Sequence, residues 1–349
     1  MHSRIIQEEK QAQDSYDSKT LKGSRTLMCA VDGSDGSDLA FQTMMVMRRK
    51  LDHVCMFHAY SLEKEAYLPP HYHKDEILYH YQQELTNNFH LPTTKFSLYW
   101  EDRKGRSVKE VISDFLGEFV GIRNPMSGTR RPPDFFFCGF SGRKRVRSHS
   151  ANSIADRKAE YKDNMFRSIS EGDMTDDKES DGGKEAGPSR YRERASSNDL
   201  TLGSTADFAS RNLRVPVVIV KLELLADTNR CFVVAVDGSE LSMRGFRLAL
   251  TLVGPHDRVR CVTVAHPQSD YTDEIRAEYE AIFPTLPVSD CAYEVINRPD
   301  RCSIAQTLCR YALDQEADFI VVSPRPAEDL SSVTEYIICN SFCSVILAK

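Results

Sequence analysis

The chain has 349 residues, of which 41% are hydrophobic and 28% charged, and it carries a formal net charge of -6 at pH 7. At ~150 residues per domain, this length predicts two domains. The acidic balance gives no reason to expect a nucleic acid partner, and no segment approaches the ~20 apolar residues of a membrane span. Ten cysteines without a Cys-x-x-Cys pair argue against a metal cluster or disulfide framework and favour a reducing compartment. We therefore expect a cytoplasmic protein.

The first predicted unit covers residues 25–222 and follows a tail, residues 1–24, that we predict to be disordered. Apolar, β-branched runs predict strands at 27–31, 53–60, 95–100, 135–138 and 217–220. Helical spacing of apolar residues predicts helices at about 37–49, 72–88, 107–122 and 204–212.

A polar segment between Gly142 and Gly203 interrupts this unit. It is rich in Ser, Arg, Lys, Asp and Glu, and it has too few apolar residues to offset the entropy of ordering. We predict a disordered insert at about 145–197. Ser148 follows basic residues in the pattern that basophilic kinases prefer, which makes the insert a candidate kinase substrate. The basic run Arg143–Arg147 could serve nuclear entry, but a solvated patch is the simpler interpretation because acidic residues follow it.

The second predicted unit covers residues 223–349. Its predicted strands are 231–236, 258–266, 291–296, 318–322 and 345–348. Its predicted helices are 241–253, 273–283, 303–314 and 330–340. Strands that alternate with helices of this length indicate βαβ crossovers and a parallel sheet.

The two units are a repeat. Each begins with an apolar run that ends in Asp-Gly-Ser, at Asp32-Gly33-Ser34 and at Asp237-Gly238-Ser239, and each ends with a similar apolar strand. Internal repeats fix the architecture of a chain. The sequence therefore predicts an α/β fold with two doubly wound five-stranded parallel sheets in tandem.

Three loops of the first unit should meet where its strands end, because doubly wound sheets bind ligands at the carboxyl ends of their strands. The first is Asp32-Gly33-Ser34. An aspartate there can accept hydrogen bonds from a ribose or hold a magnesium ion, but Asp32 and Ser34 could equally cap the next helix.

The other two loops suit an anion. Gly139-Phe-Ser-Gly142 follows the fourth strand and is followed by Arg143; glycines let the backbone aim N–H groups at phosphate oxygens. Gly203-Ser204-Thr205 opens the last helix, whose N-terminus can bind phosphate, although an N-cap alone would explain Ser204.

This ordered set of motifs resembles the universal stress protein family, whose nucleotide-binding members carry Gly-x-x-Gly, nine residues, and then Gly-Ser or Gly-Thr. Gly139, Gly142, Gly203 and Ser204 match that pattern, with a much longer spacer. The resemblance implies the adenine-nucleotide alpha-hydrolase-like fold of this family, and ATP, with magnesium as a possible companion, as the ligand.

The resemblance also implies how ATP lies. The adenine is expected against the main chain where the second strand ends, at Ala59, and Asp32 is expected to touch the ribose. The glycine loop, with Gly203, Ser204 and Thr205, is expected to hold the phosphates. In the family the last strand pairs with its mate across a dimer interface, which here implies an intramolecular pseudo-dimer through 217–220 and 345–348.

The second unit lacks these groups. Ser323-Pro324-Arg325-Pro326 stands where the first unit has its glycine loop, and proline has no N–H to offer. Ser331-Ser332 replaces Gly203-Ser204. We expect the second unit to be a structural partner that binds no nucleotide.

The expected function is ATP-dependent stress response or signalling without a catalytic residue. One alternative is a scaffold without nucleotide that is regulated by phosphorylation of the insert, and another is a slow ATPase. A homodimer and a kinase that acts on the insert are further partners that the sequence allows.

Overall fold

Parallel strands alternate with helices through the computed structural model, which describes residues 23–117, 122–123, 130–140, 202–224, 229–265, 272–286, 288, 290–325 and 330–349. The predicted insert and residues 1–22 of the predicted tail lie outside the described residues. Both repeats belong to one compact unit.

The strands of the described part are β1 (Thr26–Ala30), β2 (His53–Tyr60), β3 (Phe96–Asp102), β4 (Ile122–Arg123), β5 (Arg130–Arg131), β6 (Phe135–Gly139), β7 (Val217–Val220), β8 (Cys231–Ala235), β9 (Arg258–Ala265), β10 (Asp290–Asn297), β11 (Phe319–Val322) and β12 (Ser344–Leu347). The α-helices are α1 (Asp35–Met47), α2 (Leu62–Glu65), α3 (Lys74–Gln83), α4 (Val108–Leu116), α5 (Ser204–Asn212), α6 (Glu240–Leu250), α7 (Thr272–Glu280), α8 (Ile304–Asp314) and α9 (Ser332–Asn340). We refer to β1–β7 with α1–α5 as the first half, and to β8–β12 with α6–α9 as the second half.

The predicted strands and helices are all present, with ends shifted by a few residues, but one predicted helix is too long. The helix expected over 107–122 ends at Leu116, where Gly117 caps it in an extended conformation. Ile122–Arg123 instead pairs with Arg130–Arg131 in a two-stranded ribbon. The short helix α2 was not predicted.

The two predicted sheets form one continuous sheet of ten strands, in the order β10-β9-β8-β11-β12-β7-β6-β1-β2-β3. Within each half all neighbouring strands are parallel, and strand order reverses beside β1 and beside β8. The halves meet where β7 and β12 pair antiparallel, with Val218 opposite Ile346. The predicted pairing of the two last strands is therefore confirmed.

The centre of the sheet is covered on both faces. Phe135, Phe136 and Phe137 of β6 are each at most 1% exposed although successive side chains point to opposite faces. Strands covered on both sides have continuous apolar sequences rather than alternating ones, which is the pattern that predicted them.

A buried ion pair is repeated in both halves. Arg25, just before β1, donates from Nε to Asp52 Oδ2 at 3.0 Å, and Arg230, just before β8, donates from Nε to Asp257 Oδ1 at 3.1 Å. Each pair ties the first strand of its half to the second. The Arg25 guanidinium also donates to the carbonyl oxygens of Met47 and, in the second half, of Thr251.

We predict that residues 25–222 expressed alone will not be a stable monomer. The strand β7, which is at most 1% exposed along its length, loses its partner β12 in that fragment, and an uncovered apolar edge recruits another chain. Sedimentation velocity should show dimers or aggregates, with the full chain as the control. A well-behaved monomer would contradict the role given to the β7–β12 pair.

Candidate functional site

The turn after β1 is held together by Asp32. Its Oδ1 accepts hydrogen bonds from the Ser34 backbone N at 3.1 Å and from Ser34 Oγ at 2.6 Å. Ser34 is buried, and its Oγ accepts from Ser37 N at 3.3 Å as the N-cap of α1. Gly33 between them has φ +76°, a conformation that favours glycine.

The second half has the same turn. Asp237 Oδ1 accepts from Ser239 N at 3.0 Å and from Ser239 Oγ at 2.5 Å, and Ser239 caps α6. The serine of the Asp-Gly-Ser motif therefore caps the following helix in both halves. The motif by itself does not distinguish a ligand site from a helix cap.

His58 fixes the end of β2 beside this turn. Its Nδ1 lies 2.7 Å from the carbonyl oxygen of Val31, and the side chain is buried. The equivalent Thr263 donates from Oγ1 to Val236 O at 2.9 Å in the second half. Ala59, the predicted adenine contact, is the next residue and is half-buried. The role of His58 was missed because a histidine in an apolar strand gives no signal of its partner.

Position 139 has no room for a side chain because helix α1 lies against it. A Cβ atom there would stand 2.3 Å from the carbonyl oxygen of Gly36, far inside contact distance. The equivalent residue of the second half is Ser323, and it faces Gly245 of α6, where an added Cβ would lie 2.0 Å from Ser323 Oγ. The close approach of helix and strand thus involves a glycine on both elements in the first half, and a glycine on the helix alone in the second.

Described residues on either side of the predicted insert meet at the candidate site. Gly203 N donates a hydrogen bond to the carbonyl oxygen of Phe140 at 2.7 Å, and Phe140 N donates to Val220 O at 2.8 Å. The long spacer therefore does not separate the glycine loop from the start of α5. Gly142 and Arg143 of that loop lie outside the described residues.

The N-terminus of α5 has no side-chain cap from its own N-cap residue. Gly203 is the N-cap, and Ser204 is the first helical residue and is exposed, so the simple capping explanation of Ser204 does not apply. Thr205 follows, partly buried, in the same turn. The first N–H groups of a helix lack intrahelical partners, which makes them donors for an anion.

The matching helix of the second half caps itself. Ser331 Oγ accepts a hydrogen bond from Thr334 N at 3.3 Å at the start of α9. Pro324, which aligns with Phe140 of the first half, has no backbone N–H. The N-cap residue therefore satisfies an N–H group at the start of α9, whereas Gly203 has no side chain to do so at the start of α5.

Asp38 gives the first half a carboxyl group at a position where the second half has none. Its Oδ1 accepts a hydrogen bond from Tyr81 Oη at 2.5 Å and lies 4.0 Å from His80 Nε2, and the equivalent residue in the second half is Met243. Burial raises the pKa of Asp38, and the hydrogen bond from Tyr81 offsets part of that rise.

The thiols beneath the site are not reactive groups. Cys29 and Cys138 are buried in β1 and β6, and burial raises the pKa of both thiols, that of Cys138 to about 12. Among the described residues no group of three His, Cys, Asp or Glu side chains could hold a metal ion. In the same part of the chain no helix is long and apolar enough to cross a membrane.

Residues 229–349 match the family model of the universal stress protein family. The second half of the chain therefore belongs to this family, as its motifs indicated. No curated protein has a matching sequence.

Solved structures extend the fold to the first half. A universal stress protein from Archaeoglobus fulgidus DSM 4304 aligns with 93% of this chain and 98% of its own, at 14% identity and a TM-score of 0.50. A universal stress protein solved in complex with cAMP aligns with 35% of this chain and 97% of its own, at 20% identity and a TM-score of 0.31. A family member from Burkholderia pseudomallei aligns with 34% of this chain and 93% of its own, at 21% identity and a TM-score of 0.27. The first of these shows that the tandem fold is shared across nearly the whole chain.

We predict that Gly139→Ala destabilises the protein, because the new methyl group would collide with the backbone of α1 at Gly36. The expected loss of unfolding free energy is about 1–3 kcal/mol, as for other overpacked sites. Ser323→Ala, at the equivalent position, should cost less than about 1 kcal/mol because that position already holds a Cβ atom. Urea unfolding curves of the two variants compare them directly, and equal midpoints would show that α1 moves away from Gly139 without cost.

Proposed function

We propose that the first half binds a nucleotide, ATP, and that the chain acts as a nucleotide-dependent stress or signalling protein. The single observation that carries this is the hydrogen bond from Gly203 N to Phe140 O, 2.7 Å long. It joins Phe140, within the glycine loop, to the N-cap of a helix whose first N–H groups receive no side-chain cap from that residue. The N–H groups at such a helix start suit the oxygens of a phosphate chain, and we propose on sequence grounds that the rest of the glycine loop adds donors to them.

The remaining contacts are proposed from the resemblance to the family. Asp32, half-buried at the turn after β1, is proposed for the ribose, and it is also the proposed oxygen ligand if magnesium accompanies the nucleotide. The main chain at Ala59 is proposed for the adenine. Gly142 and Arg143 belong to the proposed phosphate site on sequence grounds alone.

The second half is proposed as a structural partner. The hydroxyl of Ser331 occupies the helix start where the first half has Gly203, and Pro324 cannot donate from its backbone. Because the Ser331 hydroxyl already takes up the N–H of Thr334, we propose that the start of α9 does not hold a phosphate. One ATP per chain is therefore the proposed stoichiometry.

We propose binding rather than rapid hydrolysis, with a slow ATPase and a scaffold without nucleotide as the competing functions. Isothermal titration calorimetry of the full chain with ATP and magnesium, together with a phosphate-release assay, distinguishes the three functions. A single site without phosphate release supports the proposal, turnover indicates an ATPase, and no heat of binding indicates the scaffold. Two sites per chain would contradict the role given to the second half.

Ser204→Pro tests the helix start without disturbing the fold. Proline is favoured at the first position of a helix, and Gly203 before it already has the extended conformation that proline requires (φ -63°, ψ 148°). The change removes one N–H donor, and a hydrogen bond to a charged group is worth about 1.5–3 kcal/mol, so ATP affinity should fall at least about tenfold.

Ser332→Pro is the matched control, because it makes the same change at the start of α9, where Ser331 is also extended (φ -60°, ψ 150°). This variant should bind ATP as the unmodified chain does. If Ser204→Pro left the affinity unchanged as well, the start of α5 would not hold the phosphates.

A further inference from the structure

Two lysines occupy equivalent positions directly beyond the paired strands of the interface. Lys221 Nζ donates to Ser341 O at 2.7 Å and to Ser341 Oγ at 3.1 Å, where α9 ends. Lys349 Nζ donates to Ala209 O at 2.9 Å and to Leu213 O at 2.7 Å, where α5 ends. Each lysine thus reaches across the interface and caps a helix C-terminus of the other half, where a cation is favourable.

The two lysines differ in what else they contact. The Lys221 ammonium lies 4.7 Å from the centre of the Phe140 ring, within the range of a cation–π contact. The residue equivalent to Phe140 is Pro324, which offers no aromatic ring to Lys349. Burial lowers the pKa of Lys221 to about 8, so the amine remains protonated at pH 7 and keeps both contacts.

Phe140 is the residue that joins the parts of the proposed site. Its backbone N donates to Val220 O, its carbonyl oxygen accepts from Gly203 N, and its side chain is buried. A group that holds the Phe140 ring therefore acts on the glycine loop and on the start of α5 at once.

We infer that Lys221 is a positioning residue for the proposed phosphate site, and that through it the second half of the chain orders Phe140 and the start of α5. An effect of Lys221 on phosphate binding rests on the proposed nucleotide function. The ordering of Phe140 and Gly203 by Lys221 can be tested without nucleotide. Lys221 connects the carbonyl end of α9 to the Phe140 ring, and in the part of the chain that the structure describes Lys349 makes no such ring contact at Pro324.

The test is hydrogen exchange of the full chain without nucleotide. In Lys221→Met, which keeps the aliphatic stem, the amides of Phe140 and Gly203 should exchange about tenfold faster, because a cation–π contact of ~1–2 kcal/mol is lost. Lys221→Arg should restore slow exchange, since a guanidinium can cap Ser341 and stack on Phe140. Lys349→Met is the matched control: it removes the other interface lysine and should leave those two amides slow.

Phe140→Leu provides a second variant that keeps both lysine caps, and it should accelerate the exchange of Gly203 in the same way. Unchanged exchange in Lys221→Met, or equal acceleration in Lys349→Met, would overturn the inference. ATP titration of the same proteins gives an independent measurement, in which Lys221→Met should bind about tenfold more weakly. If the unmodified chain binds no ATP, the proposed function fails while the exchange data still decide the role of Lys221.

Discussion

The antiparallel contact between β7 and β12 is the constraint on which the rest of the structure depends. Parallel strands within each half end at the same edge of the sheet, but each half by itself would expose its last strand. Pairing the two last strands covers both and fixes the halves in one continuous sheet. Because β7 lies next to β6, the strand that ends at the glycine loop, the contact also brings the second half close to the proposed site.

The two repeats share the same buried packing contacts but differ at other positions. The buried Arg–Asp pair, the Asp-Gly-Ser turn and the tyrosine beside the first helix recur with nearly identical geometry; Phe41 and Tyr81 have ring centres 5.1 Å apart, and Phe246 and Tyr279 5.2 Å. The halves differ where strands β6 and β11 end, and also at single positions such as Asp38, whose equivalent is Met243. A duplicated fold can lose donors at one site and retain the packing that places the other.

The sequence predicted the elements well because continuous apolar runs and helical spacing reflect burial directly. It predicted α4 too long because the periodicity continued past Gly117, and the ribbon β4–β5 is too short to produce a pattern. For the proposed site, the sequence predicted glycines as phosphate contacts but did not single out Phe140 or Lys221. Their contacts join segments far apart in the chain, which spacing along the sequence does not encode. The close approach of Gly36 to Gly139 is hidden for the same reason.

The hydrogen bond between Gly203 and Phe140 also makes the chain between them a closed loop. The entropic cost of closing a flexible loop rises only as the logarithm of its length, by about 0.6 kcal/mol for each doubling. For an insert that is disordered, as the sequence predicts, length is therefore nearly free to vary while Phe140 and Gly203 stay in contact. This position can accept new sequence, such as a binding motif or a folded reporter domain, with little effect on the fold that carries it.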